Sequence, residues 1–131
     1  MSSKPSIVTD TGFEAAKLQE LAAVLPAEQV LALARSYQVA VEAILSRLNE
    51  AAAGGDFDTI RLEAHNLRGT SGSFGARHLQ GLAEDLELAS EAGAGAEVIV
   101  LMTELRGAAD SAWRAIQAFV APLESADNDA G

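Results

Sequence analysis

The chain has no cysteine, three prolines, one tryptophan and one tyrosine among 131 residues. Without thiols it has no disulfide framework and no thiolate zinc site. Aromatic residues make up 5%, and β-branched ones are few, which weighs against sheets. Alanine and leucine dominate instead and favour helices. Basic residues are also short: nine Lys and Arg against nineteen Asp and Glu leave a net charge of −10. That balance argues against nucleic acid as a partner, because phosphate backbones need lysine and arginine. The acidity itself reads as a solvated surface. Long apolar runs are missing too. Val98-Ile99-Val100-Leu101-Met102 falls well below the ~20 residues of a membrane span. Met1 to Asp10 lacks the apolar core of a signal peptide. The expectation is a cytoplasmic chain with no membrane partner. A hydrophobic share of 49% over this length is enough for one domain with its own core.

Apolar spacing divides that domain into helices. Residues 1–10 read as a flexible N-terminus. Thr11-Gly12-Phe13-Glu14 fits a capping box, followed by a short helix to about Val24 with Phe13, Leu18, Leu21 and Leu25 as its apolar residues. Pro26 suits the first turn of a second helix. There Val30, Ala34, Tyr37, Val41, Ile44 and Leu48 form the buried stripe. Gly54-Gly55 ends it, and Asp56 caps a third helix. A fourth begins near Ala76, with Leu79, Leu82, Leu86 and Ala89 inward; Gly93-Ala94-Gly95 then makes a turn. The fifth runs from about Glu97 to Ala121 with Val98, Leu101, Leu105, Ala108, Ala112 and Phe119 inward, and Pro122 should stop it. Residues 123–131 read as a flexible acidic tail. The predicted fold is all-α: an antiparallel up-down-up-down four-helix bundle over residues 11–122, with an additional short N-terminal helix.

The third helix carries the unusual chemistry. Phe57, Ile60, Ala64, Leu67, Ser71 and Phe74 recur at helical spacing and mark its buried stripe. At about 100° per residue, His65 points roughly 135° away from the stripe's centre. Gly69 and Gly72 follow at i+4 and i+7 on the same outer face as Leu62. Each glycine inside a helix costs roughly 1 kcal/mol relative to alanine. That cost is most readily tolerated where something must approach the backbone closely. An imidazole over a bare glycine surface, with Arg68 on its flank, suggests a reactive group that a partner must reach.

His65-x-Leu67-Arg68-Gly69-Thr70-Ser71-x-x-Phe74-Gly75-Ala76-x-x-Leu79-x-x-Leu82-Ala83-x-x-Leu86-Glu87 resembles the signature of histidine-containing phosphotransfer (HPt) domains. The resemblance implies a helical bundle that carries a phosphoryl group on histidine between response-regulator receiver domains in a two-component phosphorelay. In this reading Nε2 of His65 attacks a receiver's aspartyl phosphate and later returns the group to another receiver. Glu87 stands where the family commonly has a glutamate or glutamine that orients the histidine. Arg68 stands where the family most often has lysine; it keeps the charge for phosphoryl oxygens but changes the hydrogen-bond geometry. Leu62, Gly69 and Gly72 are expected on the partner-binding face, with Arg61 and Arg77 as weaker candidates, and a side chain at either glycine would obstruct the receiver. The implied partners are receiver domains and a (hybrid) histidine kinase. No cofactor is implied for this chain, since Mg²⁺ belongs to the receiver's acidic pocket.

Blander readings apply to the neighbours. Thr70 and Ser71 are expected to bond to nearby helix carbonyls, and His78 to be a surface residue. Di-iron bundles need Glu-x-x-His, but Leu62 and Gly75 precede the two histidines at i−3, so no metal site is expected. No Gly-x-x-x-x-Gly-Lys loop is present. The chain is therefore expected to be a stoichiometric carrier rather than a kinase, and a monomer. Met1 and the polar tails suggest a freestanding protein rather than a fragment of a hybrid kinase. The alternative function is a non-phosphorylated helical adaptor that binds and titrates or inhibits receivers or a histidine kinase.

Overall fold

Three short connections, at residues 54–56, 74–76 and 92–94, join the four long helices and force each to run back along the one before. The computed structural model describes residues 13–130, with side chains through Glu124. The helices are α1 (Ala16–Val24), α2 (Ala27–Ala53), α3 (Phe57–Ser73), α4 (Arg77–Glu91) and α5 (Gly95–Ala130). Helix α2 packs on α3, α3 on α4, α4 on α5, and α5 back on α2. This closed ring is the predicted four-helix bundle.

The apolar stripes meet along its axis. Leu48, Ile60, Leu67, Leu79, Leu86, Leu105 and Ile116 are all sealed from solvent, and such burial contributes roughly 1.5–3 kcal/mol per side chain. Asp56 caps α3 as predicted, accepting hydrogen bonds from Thr59 N at 3.1 Å and Thr59 Oγ1 at 2.6 Å. At the far end of α3, Phe74 lies just past the helix and stacks on Tyr37 of α2, ring centroids 4.7 Å apart. Burial pushes the Tyr37 phenol up to about 12.

Three local expectations are corrected. The predicted capping box does not form the start of α1: Thr11 lies outside the described residues, and α1 begins at Ala16 behind Ala15, with no side-chain cap. Glu14 is held elsewhere. Its N–H donates to Gly75 O at 2.6 Å, Phe13 forms a bridge with Ala76, and its carboxylate faces Arg77 Nε at 3.5 Å. The segment before α1 is therefore fastened across the α3–α4 turn. Second, Pro122 does not stop α5, which continues to Ala130. Buried Val120 and partly buried Leu123 pack on the core around that turn and offset the hydrogen bond that proline removes. Third, the inward residues near the end of α5 are Ile116 and Val120, while Phe119 is only partly buried.

Candidate functional site

Ala64 and Leu67 anchor α3 in the core with no exposed surface, so the residues between and beside them are turned outward. His65 is one of these. Its side chain is 57% exposed, and its Nδ1 lies 3.1 Å from Glu87 Oε2 on α4. Glu87 is largely covered, at 16% exposure. Arg68, one turn along α3, completes a cluster of three. Its Nη1 is 3.4 Å from Glu87 Oε1, and its Nη2 is 3.3 Å from His65 Nδ1.

These contacts favour one placement of the imidazole proton. Arginine can only donate and the carboxylate can only accept. Nδ1 cannot both donate to Glu87 and accept from Arg68, and the contact to the carboxylate is the shorter one. A proton on Nδ1 donated to Glu87 leaves the lone pair on Nε2, the nitrogen facing away from the cluster. The guanidinium is on the Nδ1 side, where it balances the carboxylate. Glu87 Oε1 is buried and lies within ion-pair distance of Arg68 but has no hydrogen bond.

The surrounding residues fall into place around this cluster. Leu62 is 54% exposed on the His65 face. A Cβ added to Gly69 would have nothing within 4 Å, so the helix surface beside His65 is open. Gly72 is different: a Cβ there would meet the side-chain amide of Gln80, with Nε2 at 2.9 Å. The open patch predicted over both glycines is thus open only at Gly69. Arg61 is partly exposed and makes no ion pair among the described residues. Arg77 is drawn to Glu14, and His78 is exposed at the start of α4. Ser71 does not bond to a carbonyl, since its Oγ is buried with no partner. Ser73 does so instead, donating to Gly69 O at 3.0 Å.

Gln80 was not legible as part of this face. A polar residue one turn into an amphipathic helix reads as ordinary surface, and only the glycine opposite it could have hinted at more. Elsewhere, Arg106 of α5 grips Glu42 of α2 through its two terminal guanidinium nitrogens, at 2.8 and 2.9 Å. This pair clamps the bundle away from the cluster's own helices.

A sequence model of the Hpt domain matches residues 32–115, which include His65, Arg68 and Glu87. The chain belongs to the Hpt domain family. The fold of this Hpt domain is similar to the crystal structure of histidine-containing phosphotransfer protein B (HptB) from Pseudomonas aeruginosa PAO1. The TM-score is 0.81 at 20% sequence identity, covering 87% of this chain and 98% of that one. No curated protein matches the chain in sequence. Family membership gives the Hpt domain a phosphotransfer role in two-component signalling, with receiver domains and histidine kinases as the class of partner. Hpt domains are phosphocarrier modules without kinase activity of their own. Among the described residues, no helix is long and apolar enough to cross a membrane.

Proposed function

We propose that this Hpt domain accepts a phosphoryl group from a receiver's aspartyl phosphate onto Nε2 of His65 and passes it to a second receiver. One observation carries the reading: an exposed imidazole whose Nδ1 is held 3.1 Å from a largely covered carboxylate on the next helix. The Nε2 lone pair forms the new N–P bond as the P–O bond to the aspartate breaks, and the aspartate leaves with the electron pair. The ring keeps its Nδ1 proton and becomes cationic, and Glu87 sits where it can stabilise that charge. Return of the group reverses each step. Arg68 is long and 37% exposed, so it can turn from Glu87 toward phosphoryl oxygens as charge develops on them. Mg²⁺ is supplied by the receiver's pocket, and the carrier needs no cofactor. It acts as a monomer, since one chain supplies His65, Arg68 and Glu87 together.

The test is labelling by a radiolabelled phospho-receiver. The parent should take up acid-labile, base-stable label, and His65→Gln should take up none. Equal label on both would exclude the carrier role.

A further inference from the structure

The register of α3 against α4 repeats itself at two places. His65 faces Glu87, and Gly72, seven residues later, faces Gln80, seven residues earlier. Seven helical residues return to within about 20° of the same direction and advance roughly 10 Å along the axis. The seam that brings Glu87 to the reactive nitrogen's partner atom therefore brings Gln80 onto the same outer face, two turns away.

What Gln80 does there depends on the glycine. A Cβ at Gly72 would lie 2.9 Å from Gln80 Nε2, 3.2 Å from Cδ and 3.4 Å from Oε1. The whole amide head rests where a side chain at position 72 would begin. Yet that amide makes no hydrogen bond among the described residues, and Gln80 is partly exposed. The amide lies over the bare Gly72 backbone while both its donors and its acceptor stay available. A partner that covers this amide must match its donors and acceptor, because an unmatched polar group there is penalised.

We propose that Gln80 is a specificity-determining residue for the receiver that docks over His65, and that Gly72 is present to seat its amide. The proposal rests on the carrier reading above. A partner surface of standard size presents about 20–30 residues a side, so a receiver reaching Nε2 also covers a point ~10 Å further along α3. Gln80 is too far from Nε2 to act on the reacting atoms. Its contribution belongs to recognition and should appear in KM, taken as the concentration giving half-maximal single-turnover transfer, rather than in the maximal transfer rate, kcat.

The experiment uses receiver domains from the source genome, each phosphorylated by acetyl phosphate with Mg²⁺, as donors to the full chain. For the receiver that the parent uses best, Gln80→Ala should raise KM about fivefold or more with kcat within about twofold. The preference for that receiver over the next best should shrink, and the thermal midpoint should not move. Gly72→Ala should displace the amide and raise KM similarly, yet add less than about twofold in the Gln80→Ala background. Parental KM for Gln80→Ala on every receiver would overturn the proposal. So would a Gly72→Ala effect that is undiminished without Gln80, because the glycine would then be needed for clearance alone. A parent that takes label from no receiver overturns the carrier reading and this proposal together, whereas a labelled parent with an indifferent Gln80 overturns only the latter.

Discussion

Glu87 is shared between two residues of α3: one carboxylate oxygen lies 3.1 Å from His65 Nδ1 and the other lies 3.4 Å from Arg68 Nη1. A single acid thereby contacts both the ring and the cation beside it. Its removal should affect transfer far more than stability. Glu87→Ala should slow phosphoryl transfer from a receiver by about tenfold or more, because a ring free to turn loses its attack geometry. Glu87→Gln still accepts from Nδ1 but releases Arg68, and should fall between the parent and alanine. Initial labelling rates, with helical content checked by circular dichroism, decide this. A Glu87→Ala protein labelled as fast as the parent would leave the carboxylate without its orienting role.

Gly69 gives a prediction in which stability and function move oppositely. Nothing lies within 4 Å of a Cβ at that position. Gly69→Gln should therefore stabilise α3 by about 0.5–1 kcal/mol through helix propensity. The same side chain would stand beside His65 in the path of a receiver and slow transfer. Urea unfolding and labelling rates measured on one preparation test both halves. A variant with parental transfer would refute the steric argument.

Gly75 answers to a different constraint. Its φ is +78°, and a Cβ there would collide with the backbone oxygen of Glu14. The left-handed conformation alone costs an L-residue about 1–2 kcal/mol, and the collision would break the bond from Glu14 N to Gly75 O. Gly75→Ala should lose about 2 kcal/mol or more in urea unfolding. The segment before α1 should become more accessible to protease. Unchanged stability would mean that the turn can be rebuilt without glycine.

The Arg106–Glu42 clamp predicts a weak acid sensitivity. The hydrogen bonds from Arg106 hold the Glu42 carboxyl below its ordinary value, helped less by the one from Gln38. A carboxyl depressed in the folded state adds stability above the unfolded value of 4.5, and that stability is lost as pH falls through the folded value. Both side chains are about half exposed, so the effect should stay within about 1 kcal/mol. Arg106→Ala should lower stability near neutral pH and make the loss below about pH 4.5 shallower. Denaturant midpoints across that range measure it; an identical pH slope in both proteins would remove Glu42 from the account.

The amino-acid sequence by itself determined the helical architecture, because α2 to α4 each bury residues spaced at helical period, such as Val30, Ala34, Tyr37 and Val41. That periodicity is a local property, and it also turned His65 outward. It was weaker in α5, where many small alanines let Ile116 and Val120 replace Phe119 inside, and where core contacts carried the helix past Pro122. The Glu87 position was legible through family likeness, since no spacing rule joins residues 22 apart. The tertiary structure alone decided which pairs face each other across the α3–α4 seam. It closed Gly72 with Gln80 while leaving Gly69 bare, and it took Glu14 from a helix cap to fasten the turn at Gly75. Those outcomes depend on helix register, which the packing of whole faces sets and no single segment encodes.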